Sequence, residues 1–288
     1  MKNNNIKHTF YLLIILIAIM HSACTKTWIT DELTTDHTEI FPEIWNDINE
    51  NYVFFDQKEV DWDEVRETTE TQLSGDLSQE EVFEIYSEML SQLKDGHVSL
   101  YSRFNVWNYY DLYLNYPTNY NEEVVQKNYL TQISSIGPFY YDIIDENTGY
   151  LRYASFGDDI SEQDLKYLSE YFKETDGLII DVRGNLGGAA DNVAQLLKLS
   201  LTEDMQLGKI FTKDDGTLTE DNHVISASTE VDQYVKPIVI LTNRQCYSSC
   251  NIYAGYASQL EGITIMGDST GGGSGLAVAR ELGNGWQY

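Results

Sequence analysis

Cysteine is scarce: there are three in 288 residues, too few to staple a disulfide scaffold. Basic side chains are scarce too. Lys and Arg total 18 against 46 Asp and Glu, a formal net charge of −28. Such a surface repels a phosphate backbone, which argues against nucleic acid as a partner, and anionic membrane surfaces are poor partners for the same reason. The acidity itself bears on solubility and selects no chemistry. No run of Gly, Pro or Ser marks a clean linker, and there is no internal repeat or low-complexity tract. His, Cys and acidic residues do not cluster at metal-ligand spacing, so neither a metal nor a cofactor is expected. Against these absences, the chain is 42% hydrophobic and 12% aromatic, enough for a sizeable core.

The N-terminus reads as an address. Lys2 and Lys7 precede an unbroken apolar run, Phe10 to Met20, which is too short to span a bilayer and suits the core of a signal peptide. Ser22 and Ala23 then lead directly into Cys24. A small pair before a cysteine resembles a bacterial lipobox, which implies a signal peptide over 1–23, lipidation at Cys24 and an anchored protein of the cell envelope, at the outer membrane or facing the periplasm. Which membrane face carries it is left open, as is an ordinary signal peptide with an incidental cysteine. Residues 24–37 read as a tether.

Three helical patterns follow. Ile40, Ile44, Ile48 and Tyr52 recur every four residues, with Phe41 and Trp45 beside them. Residues 61–73 form a weaker helix. Ser78 and Glu81 make a capping box ahead of an apolar stripe through Leu93. A small helical domain over 38–97 is therefore expected, then poorly periodic strands and loops over 98–148, with one strand at Val98–Tyr101. From 149 to 288 the pattern changes. Apolar strands at 149–156, 177–182, 236–242 and 262–266 alternate with helices at 161–174, 189–199 and 248–259. The fold class is α/β: a mostly parallel sheet with helices on both faces.

Three places could carry chemistry. The loop Asp181–Gly188 (DVRGNLGG) joins a strand to a helix, and its glycines let backbone amides approach an oxyanion or a phosphate. It lacks the Lys–Ser/Thr of a phosphate loop and misses the dinucleotide spacing, and an exported chain meets few nucleotides. Ser248 sits where a buried strand turns into a helix, as a nucleophilic serine requires. Taken alone, the turn favours a plain helix cap by Ser248 or Ser249. His97, at a helix-to-strand corner, is a possible general base; His8 and His21 fall in the signal, His37 in the tether and His223 in a polar loop.

LKDGHVSL, DGLIIDVRGNLGG, VILTNRQCYSSCNIYA and MGDSTGGGSG together, in this order, resemble the tail-specific or C-terminal processing serine peptidases. Over about residues 38–288 the chain looks like the tricorn-core-like branch found in lipoproteins of Bacteroidetes. The resemblance implies a crotonase/ClpP-like core and a polypeptide substrate. It implies Ser248 as nucleophile, His97 as base, and the Ser249 and Gly187 amides as oxyanion donors. One branch uses a lysine where this chain has Gly273, so a Ser–Lys pair is not expected. In the tricorn-like branch a glutamate downstream of the glycine-rich loop completes the set, and it is not found before Tyr288. The chain is therefore expected to be C-terminally incomplete, whether truncated, a fragment or a degenerate member.

Asp95 is read as structural, because neighbours two residues apart seldom orient each other. Cys246 and Cys250 bracket Ser248 and are read as small packing groups, a helix start at 248 setting them awkwardly for a disulfide. The stretch 103–148 is too short for a PDZ-like module. A catalytically inactive lipoprotein holding a peptide or hydrophobic ligand is the alternative. Oligomeric state, substrate and cleavage preference are not read from the sequence.

Overall fold

Two hydrophobic clusters organise the chain. The computed structural model describes residues 36–110, 116–214 and 216–288. The signal segment, Cys24 and most of the tether lie outside these residues.

The first cluster is built by helices α1 (His37–Asn51), α2 (Phe55–Lys58), α3 (Trp62–Gln72) and α4 (Gln79–Ser91). Ile40, Ile44 and Ile48 of α1 share one buried cluster with Val82, Phe83, Tyr86 and Leu90 of α4. Trp45 and Trp62 stack, and each indole N–H donates to the other's carbonyl (3.1 and 3.2 Å), which satisfies two donors inside an apolar core. The Ser78–Glu81 capping box starts α4, with both reciprocal bonds present. A short hairpin follows, β1 (Ser99–Tyr101) on β2 (Val106–Asn108).

The second cluster lies around a six-stranded sheet. Its strands are β3 (Ser134–Ile136), β4 (Phe139–Ile144), β5 (Thr148–Tyr153), β6 (Gly177–Asp181), β9 (Ile238–Thr242) and β10 (Ile263–Gly267). The spatial order is β10-β9-β6-β5-β4-β3. The β5–β6, β6–β9 and β9–β10 pairs are parallel, and the β4 edge is antiparallel. Helices α6 (Glu162–Phe172), α7 (Asp191–Leu197) and α8 (Ser249–Ala257) supply the covering layers.

Three elements depart from the sequence reading. Residues 98–148 also contain helix α5 (Glu122–Tyr129), started by the Asn121 side chain accepting from the Val124 amide; none of its residues is buried, so it has no apolar stripe. Residues 205–225 form a long hairpin, β7 (Met205–Asp214) with β8 (Thr217–Ile225). His223 therefore lies in a strand rather than a loop, with its Nδ1 2.7 Å from the Tyr256 hydroxyl.

The two clusters are tied by the segment 280–288. Leu282 and Trp286 are buried in the helical cluster, and Trp286 meets Phe83, Tyr86 and Phe104 edge-on. Gln287 bridges Tyr101, its amide donating to the Tyr101 carbonyl at 3.0 Å. This closure carries the end of α4, and with it the turn 94–97, to the carboxyl edge of the parallel strands.

Candidate active site

Strand β9 is apolar, buried and parallel to both neighbours, so the chain leaves it at the edge where open α/β sheets expose ligand sites. The next residues turn sharply. The Tyr247 amide donates to the Asn185 carbonyl and the Ser248 amide to the Gly272 carbonyl, so the turn is held between two glycine-rich loops. Ser248 has φ 54° and ψ −123°, a conformation few non-glycine residues adopt, and helix α8 begins immediately after it. Strain of this kind is retained where surrounding contacts over-determine it. The Ser248 hydroxyl occupies the cap position without capping the helix. Its Oγ lies 3.1 Å from His97 Nε2, a contact that joins residues 151 apart in sequence.

His97 is half-buried. Burial pushes its imidazole below the ordinary value, the Asp95 carboxylate opposes that, and the Lys58 ammonium adds to the lowering. A neutral ring with a free Nε2 lone pair is the form that can take a proton from Ser248.

Asp95, expected to be structural, also lies beside the His97 ring. The turn 95–97 folds the carboxylate back, so Oδ1 accepts from the His97 backbone amide at 3.1 Å and lies 3.7 Å from His97 Nδ1. Oδ2 accepts from Lys58 Nζ (2.8 Å) and from the Tyr52 hydroxyl (2.7 Å). Burial alone would raise the Asp95 carboxyl, but Lys58, Tyr52 and the His97 amide together hold it below the usual range. The Tyr247 hydroxyl donates to Asp95 Oδ1 (3.3 Å) and lies 3.5 Å from His97 Nδ1.

The glycine loop after β6 reaches the serine. A Cβ added at Gly187 would stand 2.7 Å from Ser248 Cβ and 2.9 Å from the Ser249 amide nitrogen, so only glycine allows this approach. The Gly187 amide, the expected oxyanion donor, is engaged here: its N–H donates to Asn185 Oδ1 at 2.9 Å. The Gly187 carbonyl accepts from Phe156 N–H, and Ala189 N–H donates to the Phe156 carbonyl, a parallel bridge in which Gly188 is the paired residue. The Gly188 amide and carbonyl therefore face away from Phe156. On that side the Gly188 carbonyl accepts from the Ser249 hydroxyl at 2.7 Å. The Ser249 amide is the first of α8, and such amides have no acceptor inside the helix.

Cys246 and Cys250 were read as packing groups; they form a disulfide. The positive φ at Ser248 delays the helix to Ser249, which leaves Cys246 in the turn and sets the two Cα atoms 5.1 Å apart, within disulfide reach. At position 273, where a lysine would stand in the other branch, a Cβ would collide with the Tyr247 ring. Among the described residues, no group of three or more His, Cys, Asp or Glu side chains could hold a metal ion.

The chain is similar to several known proteins. Residues 147–288 match peptidase family S41, and residues 33–91 match the tricorn protease C1 domain. The crystal structure of a candidate peptidase from Parabacteroides merdae is 34% identical, with a TM-score of 0.80, over 87% of this chain and 81% of that one. The carboxy-terminal processing protease CtpB of Bacillus subtilis (strain 168) is 29% identical over 140 residues. That match covers 48% of this chain and 28% of CtpB, so the chain spans less than a third of that relative's length. The photosystem II D1 C-terminal processing protease shares the fold, with a TM-score of 0.52 at 15% identity over 88% of this chain and 86% of that one.

Proposed function

Because the chain belongs to peptidase family S41, we propose that it is a serine endopeptidase that cuts polypeptides through an acyl-enzyme. His97 Nε2 takes the Ser248 proton as Oγ attacks the scissile carbonyl. The resulting oxyanion rests against the Ser249 amide and, in place of Gly187, the Gly188 amide, both fixed before substrate arrives. His97 then passes the proton to the leaving amine, and water repeats the cycle on the ester. The observation that carries this reading is the 3.1 Å contact between His97 Nε2 and Ser248 Oγ, set on a strained strand-to-helix turn. The collision that a side chain at 273 would make with Tyr247 supports histidine over lysine as the base.

A fluorophosphonate probe tests it. Labelling should fall on the peptide containing Ser248, vanish in Ser248→Ala and drop to background in His97→Ala. A Ser248→Ala protein that still cleaves casein at the wild-type rate refutes the assignment. Because the Bacillus relative is a carboxy-terminal processing protease, C-terminal peptides are the first specific substrates to try.

Export and anchoring belong to the same proposal. They rest on the basic start, the short apolar run and the Ser22-Ala23-Cys24 sequence. A Cys24→Ala chain should lose incorporation of radiolabelled palmitate and leave the membrane fraction; a wild-type chain that incorporates none refutes the anchor.

A further inference from the structure

We propose that Asp95 is the positioning residue of this site: its carboxylate, reached partly through the Tyr247 hydroxyl, keeps His97 Nδ1 protonated and supports the imidazolium formed when His97 takes the Ser248 proton. The inference rests on the Ser248–His97 reading and deepens it.

The two carboxylate oxygens divide their work. Oδ2 is held by Lys58 Nζ at 2.8 Å and the Tyr52 hydroxyl at 2.7 Å. Lys58 also donates to the carbonyls of Leu93 and Lys94 (2.9 and 3.1 Å), so the ammonium knits Asp95 to the segment that follows α4. Oδ1 is left facing the ring, with the His97 amide at 3.1 Å and Nδ1 at 3.7 Å. A separation of 3.7 Å is charge contact rather than a hydrogen bond. The Tyr247 hydroxyl completes the path, because it donates to Oδ1 and presents its oxygen 3.5 Å from Nδ1. Its ring is held in place by packing on His97, with centroids 4.9 Å apart, and by the space that Gly273 leaves open. The charged and titratable groups facing His97 are thus Asp95, Lys58 and Tyr247, with Tyr52 acting through Asp95.

When the proton moves, a positive charge appears in a half-buried site, where an unpaired charge is costly. Asp95 is the negative group in place to meet it. Lys58 has the opposite effect and keeps the resting ring neutral.

The test uses the full chain and the second-order rate of fluorophosphonate labelling between pH 4 and 9. The main variant is the double Lys58→Met/Asp95→Asn, which removes both charges together and strands neither. Its plateau rate should fall about 10- to 100-fold, less than the roughly 10⁴ seen when a directly bonded triad carboxylate is lost. Its acid limb should move to lower pH, because a carboxylate that stabilises imidazolium has gone. Lys58→Met alone should move the limb the other way. A merely structural pair would lower the plateau without moving the acid limb of either variant. If the folded double variant labels at the wild-type rate with an unmoved limb, while His97→Ala is silent, the Asp95 inference is overturned and the serine–histidine reading survives. If His97→Ala itself labels at the wild-type rate, the underlying reading fails instead. Should the double variant not fold, Asp95→Asn alone decides, and an unmoved acid limb there overturns the inference.

Discussion

Gly187→Ala puts the closeness of the two loops to a quantitative test. Gly187 has φ +95°, and the new methyl would stand 2.7 Å from Ser248 Cβ, 2.7 Å from the Tyr247 carbonyl oxygen and 2.9 Å from the Ser249 nitrogen. Two costs add. A left-handed conformation costs an alanine about 1 to 2 kcal/mol. Forcing a methyl into a close-packed contact costs about 1 to 3 kcal/mol more. The variant should therefore lose about 2 to 5 kcal/mol, measurable as a fall in the urea midpoint. The loop must retreat by a good fraction of an ångström, and a displacement of about 1 Å at a reacting group costs on the order of 10² in rate. Fluorophosphonate labelling should thus fall about 100-fold in protein that is still folded. Gly216→Ala is the control. Its φ is +72°, but nothing lies within 4 Å of the added Cβ. It should lose only the conformational part, about 1 to 2 kcal/mol, and label normally. If Gly187→Ala matches Gly216→Ala in midpoint and keeps the wild-type labelling rate, the glycine loop does not abut the nucleophile and the oxyanion assignment falls with it.

Three further outcomes are expected. Trp286→Ala removes a nearly fully buried ring packed edge-on against three aromatics and should cost about 3 to 5 kcal/mol in urea unfolding; a loss under about 1 kcal/mol would show that segment 280–288 does not anchor the helical cluster. Because burial lowers the His97 imidazole, the base form should predominate from below the ordinary histidine range upward, so labelling should already be on its plateau at neutral pH and fall only in acid; a limb centred above pH 7 would contradict this. Reduction of Cys246–Cys250 with dithiothreitol should slow labelling, since the disulfide spans the turn that holds Ser248 at positive φ; a Cys246→Ala/Cys250→Ala protein that labels at the wild-type rate would show the turn to be held by its backbone bonds alone.

The parts of the fold that announce themselves do so through local chemistry. The Ser78–Glu81 box and the stripe from Val82 to Leu90 are self-contained, and α4 forms where they place it. The runs GLIID and IVILT are apolar up to their last residues, Asp181 and Thr242, because parallel strands covered on both faces need no polar side. Hairpin β7–β8 was missed for the opposite reason: β8 reads TLTEDNHVI, almost wholly exposed, and its strand character comes from backbone pairing with β7. In the site, residue types and order pointed to Ser248 and His97. They could not show that the Gly187 amide turns to Asn185 or that Gly188 pairs with Phe156, which depends on the path of the loop. Nor could they show the disulfide, which depends on the torsion at Ser248, or the approach of Asp95, which depends on how tightly residues 95–97 turn.

The burial of Leu282 and Trp286 among the first helices also sets the order of events when the polypeptide is made. Synthesis delivers the N-terminal end first, so Phe83 and Tyr86 wait with one side uncovered until residues past 280 emerge. Contacts of such long range close late, because the loop they seal must be gathered first. The turn that carries the imidazole is consequently braced from the side of Leu282 and Trp286 only once residues past 280 have emerged.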